Sequence, residues 1–274
     1  MIIATKKETF RILKENNLIA KKGYGQNFLI NYETIKNITN NLSVNEDTLV
    51  IEIGPGLGAL TQELLKMSKK VIAIEIDKNM VNVLKQNLNE SNLEIINEDF
   101  LKVNLNDLIE KNKEYNEVII VSNLPYYITS DILEKIISLN NKKIKKVVVM
   151  MQKEVGKKLV KKEDKIESYL KVLIDNYCDT KIVTYVSKND FEPRPKVDSI
   201  VLEFSLNKDV YNLDYYFFEI IKECLKNRRK TLINTLPYSK EIVQNAFDEL
   251  NIKSTIRIEE LTIIELLKIL ERMK

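Results

Sequence analysis

Histidine is absent from the 274-residue chain, and cysteine occurs only at Cys178 and Cys224. The two cysteines are far apart and lie outside any C-x-x-C pair. Zinc sites of the Cys/His type and catalytic triads built on histidine are therefore excluded, and no metal is expected. So few thiols fit a reducing compartment such as the cytoplasm.

Apolar runs long enough to cross a membrane are also missing, although apolar residues make up 44% of the chain. The N-terminal stretch MIIATKKETFRILKENN is too charged for a secretory signal. Its apolar spacing at Phe10 and Leu13 predicts a short amphipathic helix instead. We therefore expect a cytoplasmic protein with no membrane partner.

The net charge of only +3 says little about partners, but lysine and arginine are concentrated in two places. One cluster is Lys226, Arg228, Arg229 and Lys230. The other is a set of lysines with few acids nearby: Lys142, Lys143, Lys145, Lys146, Lys153, Lys157, Lys158, Lys161, Lys162 and Lys165. Two interpretations stay open, a solvated surface or a surface that follows nucleic-acid phosphates.

The segment from Thr48 to Met151 alternates between apolar strands and amphipathic helices. The predicted strands are TLVIEI, KVIAIEI, LEIIN, EVIIVSN and KKVVVMM. Such alternation predicts an α/β fold with a mostly parallel sheet that is covered by helices on both faces. A ligand is then expected in the crevice at the carboxyl ends of the strands.

The rest of the chain predicts an edge to this sheet and a second domain. A lysine-rich helix is followed by the strand CDTKIVTYV, the loop NDFEPRPKVD and the strand SIVLEFSL, which suggests an antiparallel edge. Beyond Asn207 the apolar periodicity is purely helical. We therefore expect a domain over 1–206, with an N-terminal segment over 1–25, and a small all-α domain over 207–274.

A glycine loop, IEIGPGLGAL, joins the first of these strands to the next helix. Gly54, Gly56 and Gly58 let the backbone approach a ligand closely. Because Ala59 also completes a G-x-G-x-x-G/A fingerprint, the loop alone does not separate a nicotinamide site from a site for another adenosine-containing cofactor.

Two carboxylates follow the next two strands of the sheet. Glu75 ends the second strand, where it could accept hydrogen bonds from both ribose hydroxyls, as in a dehydrogenase. Asp99 ends the third strand, where it could accept from an adenine amine with Phe100 stacked beside it. The alternative is that both carboxylates cap helices.

The stretch SNLPYY follows the fourth strand. Asn123, Leu124, Pro125 and Tyr126 could form only a turn, because asparagine and proline favour turns. The surrounding motifs indicate more. GQNFL, EIGPGLG, EID, EDF, SNLPYYITS, MQKEV, FEPRPKVDS and NRRKTLINTL resemble, in order and spacing, the small-subunit ribosomal RNA adenine dimethyltransferases, whose loss confers kasugamycin resistance.

The resemblance implies a Rossmann-like fold that binds S-adenosylmethionine, and dimethylation of two adjacent adenines near the 3′ end of small-subunit rRNA. It implies a monomer that acts on the immature small subunit, with the C-terminal domain docking on rRNA. It also implies cofactor contacts from Asn27, Leu29, Gly54, Glu75, Asp99 and Asn123. One departure is Glu167-Ser168, where many relatives carry Tyr-Gly.

The expected chemistry gives SNLPYY a catalytic role. The exocyclic nitrogen of adenine is a poor nucleophile, and an acceptor array on its N–H groups would favour an attacking geometry. The Asn123 amide oxygen and the Leu124 carbonyl can form that array, while Pro125 fixes the backbone and Tyr126 stacks on an extruded base. Phe191 could close the other face of the base, or could be a core anchor.

Two other functions stay open at this point. One is a large-subunit rRNA adenine methyltransferase of the macrolide-resistance type, which usually has Ile in place of Leu124. The other is a non-catalytic assembly or transcription factor with the same fold.

Overall fold

The computed structural model describes residues 1–161 and 165–273. Lys162, of the lysine set that runs from Lys142 to Lys165, and Lys274 lie outside the described residues. The chain divides into two compact units, the first formed by 1–160 and 179–207 and the second by 161–178 and 208–274. The segment 161–178, which the sequence pattern places in the first domain, thus groups with the C-terminal helices.

The helices and strands were mostly predictable in number and place. The first unit contains α1 (Lys6–Glu15), β1 (Phe28–Leu29), α2 (Tyr32–Thr39), β2 (Thr48–Ile53), α3 (Thr61–Met67), β3 (Lys70–Ile74), α4 (Lys78–Asn87), β4 (Leu93–Ile96), α5 (Leu105–Lys111), β5 (Glu117–Asn123), α6 (Thr129–Ser138), β6 (Ile144–Gln152), α7 (Lys153–Val160), β7 (Cys178–Val186), β8 (Phe191–Glu192) and β9 (Ser199–Leu206). The second unit contains α8 (Tyr169–Tyr177), α9 (Tyr215–Lys226), α10 (Lys240–Glu249) and α11 (Ile263–Arg272).

The main sheet has seven strands in the order β4-β3-β2-β5-β6-β9-β7. The pairs from β4 to β6 are parallel, and every residue of β2 is buried, as expected for a strand covered on both faces. Strand order reverses between β2 and β5, so a crevice opens where these two strands end. This confirms the predicted α/β class.

The edge of the sheet is antiparallel, as predicted. β9 runs antiparallel to β6 from Lys146↔Ser205 to Gln152↔Ser199, and β7 lies outside β9. The first residue of β9, Ser199, is thereby placed next to the carboxyl end of β6.

A second, two-stranded sheet was not predicted. β1 and β8 pair antiparallel, with Leu29 opposite Phe191. Strands of two residues carry no readable alternation, which is why the sequence did not reveal them. Their pairing fixes the N-terminal segment beside the loop that leads to β9.

The N-terminal helix α1 forms as predicted, but its buried face differs. Thr9, Ile12 and Leu13 are buried, whereas Phe10 is 47% exposed. Thr5 caps the helix by accepting from the Glu8 N–H. Of the two apolar residues whose spacing predicted the helix, Leu13 is buried and Phe10 is mostly exposed.

The second unit is held by aromatic and aliphatic contacts between its helices. The Phe218 ring of α9 lies 6.0 Å from Tyr169 and 6.0 Å from Tyr177, both on α8, which explains why α8 groups with this unit. Ser168 caps α8 by accepting from the Lys171 N–H, so the Glu167-Ser168 departure is compatible with a well-started helix. In the part of the chain described here, no helix is long and apolar enough to cross a membrane.

Candidate active site

A pocket of about 250 Å³ opens where β2, β3 and β5 end. All of its walls belong to the first unit, and the N-terminal segment around Asn27 forms one side. The lining includes every residue that the sequence predicts for the cofactor and the catalytic motif: Asn27, Leu29, Gly54, Glu75, Asp99, Asn123, Leu124, Pro125 and Tyr126. The predicted convergence of these side chains at the sheet edge is therefore found.

The glycine loop leaves room for a ligand on one side and packs closely on the other. Gly54 has φ +66°, and a β-carbon there would meet no atom within 4 Å, so its backbone faces open space. At Gly58, with φ +90°, a β-carbon would come within 2.8 Å of Leu88 and 2.9 Å of Leu84 on α4. The loop thus combines close ligand approach with tight helix packing.

Glu75 is buried at the end of β3, with 5% of its surface exposed. Its Oε2 accepts from the Gly56 N–H at 3.1 Å and its Oε1 from the Asp77 N–H at 2.8 Å. Burial raises the pKa of Glu75, and the two backbone hydrogen bonds oppose that shift. The two backbone donors thus fix the orientation of the carboxylate at the pocket wall. Asp77, not Glu75, caps the following helix.

Glu52 is a pocket residue that sequence reasoning missed. It lies on β2, is 2% exposed, and lines the pocket beside the glycine loop. Burial, with a smaller contribution from the nearby Glu75 carboxylate, raises the pKa of Glu52 to about 8. Among the described residues, Glu52 Oε2 and Thr61 Oγ1 are both buried without a hydrogen-bond partner. A glutamate inside an apolar strand run was the signal available in the sequence.

Asp99 caps a short 3-10 turn, Phe100–Lys102, and also lines the pocket. Its Oδ1 accepts from the Leu101 N–H at 3.0 Å, which is the capping role considered from the sequence. Both Asp99 and Phe100 also line the pocket. Capping fixes the carboxylate at the pocket wall, so the two interpretations are compatible.

Asn123 is the last residue of β5 and contacts the N-terminal segment at the pocket wall. Its Nδ2 donates to the Asn27 carbonyl at 3.2 Å. No donor within 1–161 or 165–273 reaches Asn123 Oδ1 or the Leu124 carbonyl. Two acceptors without partners among the described residues therefore belong to adjacent pocket-lining residues at the end of β5.

Tyr126 is half-buried, and its hydroxyl lies 2.8 Å from Ser199 Oγ at the start of β9. Burial raises the pKa of Tyr126, and the hydrogen bond with Ser199 opposes that shift. The Thr129 hydroxyl and the Ile128 N–H both donate to the Pro125 carbonyl, which closes the turn into α6. The Tyr126 ring is thus held at the pocket wall by its hydroxyl contact with Ser199 and by the backbone turn at Pro125.

Phe191 is not part of the pocket lining. It is 2% exposed and packs in the hydrophobic core, with its backbone paired to Leu29 in the small sheet. Its position is that of the core anchor, the alternative to base stacking, because no face of the ring reaches the pocket.

The predicted RNA-binding cluster lies on the second unit, at and just beyond the end of α9. Lys226, Arg228, Arg229 and Lys230 are all exposed. Lys226 pairs with Glu223 at 3.3 Å, whereas the side chains of the other three form no hydrogen bond or ion pair with any described residue. Leu232, immediately after them, is fully buried, so the core side of the segment is already occupied.

The seven-stranded sheet and the pocket at the carboxyl ends of its parallel strands are those of the S-adenosylmethionine-dependent methyltransferase fold. Comparison with solved structures supports this fold assignment. A solved dimethyladenosine transferase from Plasmodium falciparum superposes with a TM-score of 0.69 at 24% identity, covering 89% of this chain and 96% of that one. The 23S rRNA methyltransferase ErmE superposes with a TM-score of 0.63 at 24% identity, covering 90% and 99%. At this identity the likeness shows the fold alone.

The sequence comparisons are more specific. The profile of the family "Ribosomal RNA adenine dimethylase" matches residues 17–274. A protein of Mycoplasma capricolum subsp. capricolum named ribosomal RNA small subunit methyltransferase A is 41% identical over 91% of this chain and 96% of its own length. One of the same name from Bacillus pumilus is 38% identical over 96% and 94%. The chain belongs to the ribosomal RNA adenine dimethylase family.

Proposed function

We propose that the protein transfers methyl groups from S-adenosylmethionine to the N6 atoms of two adjacent adenines near the 3′ end of small-subunit rRNA. The observation that carries this proposal is the pair of unpartnered acceptors, Asn123 Oδ1 and the Leu124 carbonyl, in the pocket that also holds Glu75 and Asp99. An N6 amino group has two N–H donors, and this site offers two acceptors for them.

The residues present fit the cofactor. Open space beside Gly54 suits the close approach of a methionine moiety, and the fixed Glu75 carboxylate suits a ribose with two hydroxyls. Asp99 can accept from the adenine amine, with Phe100 and Leu29 as apolar walls. We therefore assign cofactor binding to Asn27, Leu29, Gly54, Glu75, Asp99 and Asn123. S-adenosylmethionine, when bound, supplies a methyl group on a positively charged sulfur.

The target amine is activated by position and hydrogen bonding. When Asn123 Oδ1 and the Leu124 carbonyl accept its two N–H bonds, the nitrogen lone pair is turned out of conjugation with the ring and toward the methyl carbon. In the complex, these two acceptors would hold the nitrogen toward the methyl group that S-adenosylmethionine supplies, and the proton released from the nitrogen would leave to solvent. No base with a matched pKa is needed, because the methylated ammonium is strongly acidic; the rate gain comes from orientation and fixed dipoles.

Tyr126 is proposed to stack on the extruded base. Its ring is held by the hydroxyl contact with Ser199 and by the turn that Pro125 begins. A base lifted from an RNA helix needs such an aromatic surface, because stacking replaces the contacts that it has lost. A monomethylated amine keeps one N–H, so the same acceptors can still orient it for the second transfer.

The proposed partner is rRNA in the immature small ribosomal subunit, bound by a monomer in the cytoplasm. Support comes from the exposed cluster Lys226, Arg228, Arg229 and Lys230, of which three have side chains without a partner among the described residues. Such charges suit phosphate contacts.

The experiment is methyl transfer from labelled S-adenosylmethionine to immature small subunits, followed by mapping of the label. Label on two adjacent adenines near the 3′ end supports the proposal. Label on a single large-subunit adenine would instead support the macrolide-resistance type. Binding to subunits without transfer would support a non-catalytic assembly factor.

A further inference from the structure

Lys135 lies on α6, outside every motif that the sequence singles out, yet it contacts the pocket wall. Its Nζ donates to three backbone carbonyls of one loop: Phe100 at 2.9 Å, Leu101 at 2.7 Å and Val103 at 2.6 Å. The same Nζ lies 5.4 Å from the centre of the Phe100 ring. An ammonium has three donors, and here all of them are used on this one turn.

The loop that Lys135 holds is the one that carries Asp99 and Phe100. Asp99 caps the start of the turn Phe100–Lys102, and the Lys135 ammonium donates hydrogen bonds to carbonyls of the same turn and of the residue after it. The Phe100 carbonyl also accepts from the Val103 N–H within the turn. The Leu101 and Val103 carbonyls accept no backbone N–H from the described residues, and a cation is favourable beside such terminal carbonyls. The shape of the adenine side of the pocket therefore depends on both residues.

The helix that carries Lys135 begins at the catalytic segment. α6 starts at Thr129, whose hydroxyl donates to the Pro125 carbonyl at 3.2 Å. One rigid helix thus joins the Pro125–Tyr126 turn at its start to the Phe100 turn through Lys135. Partial burial lowers the pKa of Lys135, and the Asp99 carboxylate opposes that shift, as expected for a cation held inside the protein.

We infer that Lys135 is a positioning residue that couples occupancy of the adenine side of the cofactor pocket to the order of the target-base segment, Asn123–Tyr127. This inference rests on the proposed function, because it assigns the two ends of the helix to cofactor and substrate. Adenosine contacts at Asp99 and Phe100 hold the turn Phe100–Lys102 in place, and Lys135 transmits this to α6. Because α6 begins just after the segment Asn123–Tyr127, a fixed α6 also orders that segment.

The chain offers a matched control. Lys143 Nζ also donates to backbone carbonyls, those of Lys113 at 3.2 Å and Tyr115 at 3.1 Å, but none of these residues lines the pocket. Lys135→Met and Lys143→Met each remove an ammonium that ties loop carbonyls, and each keeps an apolar stem. Lys135→Arg keeps the charge and the donors.

The first measurement is hydrogen exchange at the amides of 126–128, with and without S-adenosylhomocysteine at saturating concentration. In the wild type and in Lys143→Met, ligand binding should slow exchange at these amides. In Lys135→Met the ligand should no longer do so, and Lys135→Arg should restore part of the effect. Ligand-induced protection in Lys135→Met equal to that of the wild type would overturn the inference.

The second measurement is kcat on immature subunits, with cofactor and subunits both saturating, so that a phosphate contact of Lys143 would change affinity and not kcat. Loss of hydrogen bonds from a charged donor should lower kcat of Lys135→Met by roughly tenfold, while Lys143→Met stays near wild type. A fall in melting temperature with unchanged kcat would show a merely structural role and overturn the inference. If the wild type shows the ligand-dependent protection but transfers no methyl group, the proposed function fails while the coupling stands.

Discussion

Asn123 Nδ2 donates a hydrogen bond to the Asn27 carbonyl over 3.2 Å, although the two residues are 96 positions apart in the chain. Because the amide nitrogen is tied to the backbone of the N-terminal segment, the amide oxygen is held in one orientation. The partner is a main-chain carbonyl, so the contact depends on where the N-terminal segment lies and not on the Asn27 side chain. This contact links the end of β5 to the N-terminal segment at the pocket wall.

The first prediction concerns that amide. Asn123→Ala should leave S-adenosylmethionine affinity within a few-fold of wild type but lower methyl transfer by on the order of a hundredfold, because the lost acceptor acts mainly in the transition state. Calorimetry and single-turnover transfer to immature subunits measure the two effects. Asn31→Ala is a suitable control, since Asn31 caps α2 and does not line the pocket. Near-normal methyl transfer by Asn123→Ala would show that SNLPYY forms only a turn and has no catalytic role.

The second prediction concerns Glu75. Loss of the carboxylate removes both proposed ribose hydrogen bonds, which should cost about 2–4 kcal/mol. Glu75→Ala should therefore weaken S-adenosylmethionine binding by roughly 30-fold or more, as measured by calorimetry. Glu46→Ala, at a position whose side chain is 84% exposed, should bind as wild type. A folded Glu75→Ala protein with unchanged affinity would contradict the assignment.

The third prediction concerns pH and Glu52. The pKa of about 8 lies above the ordinary 4.5, so the folded protein holds this proton more tightly than the unfolded chain does. The stabilisation that protonated Glu52 gives is complete below about pH 4.5 and is lost as the pH rises toward about 8. Glu75 shifts in the same direction, so only a comparison with Glu52→Gln isolates Glu52.

Between about pH 5.5 and about pH 8.5 the free energy of unfolding of the wild type, without cofactor, should fall more than that of Glu52→Gln, by on the order of 3 kcal/mol. Denaturant titrations at both pH values measure the difference. Glu46→Gln should follow the wild type. Parallel pH dependences for wild type and Glu52→Gln would show that Glu52 is ionised throughout the range.

The fourth prediction concerns docking on rRNA. Replacement of Arg228, Arg229 and Lys230 together by Ala should weaken subunit binding at low salt and flatten the slope of log affinity against log salt by roughly two units. Cofactor affinity should not change, because the pocket residues all belong to the other unit. The matched control replaces three exposed lysines of the first unit, Lys85, Lys111 and Lys113.

The control triple should shift the salt slope much less than the cluster triple does. A cluster triple that lost thermal stability and cofactor affinity together, with its salt slope unchanged, would instead assign these side chains a structural ion-pair role. Subunit affinity at several salt concentrations, measured beside a melting curve, decides between the two.

The sequence was informative where chemistry and periodicity coincide. Glu75, Asp99 and Asn123 each follow an apolar strand, and parallel strands bring their carboxyl ends to one edge, so their convergence was predictable. The two-residue strands β1 and β8 were not, because their pairing depends on register between distant segments. Phe191 is an example: its motif left base stacking and a core anchor both open, and its pairing opposite Leu29 buries it in the core.

Lys135 and Glu52 show a second kind of feature that the sequence alone does not predict. Lysines are common on amphipathic helices, and nothing local marks the one whose Nζ reaches three carbonyls of another loop. Glu52 lies within an apolar strand, but only the packed sheet shows that its Oε2 is left without a partner among the described residues. Both roles arise from tertiary geometry, which a periodic pattern does not encode.

The central claim is that Asn123 Oδ1 and the Leu124 carbonyl present an rRNA adenine amine to the methyl donor. Mass spectrometry of the 3′-terminal small-subunit rRNA fragment, before and after incubation of immature subunits with protein and S-adenosylmethionine, tests it most directly. The account predicts two methyl groups on each of two adjacent adenines with the wild type, and a fragment left largely unmodified with Asn123→Ala under the same conditions. An unmodified fragment with the wild type, or full dimethylation by Asn123→Ala at the wild-type rate, would contradict it.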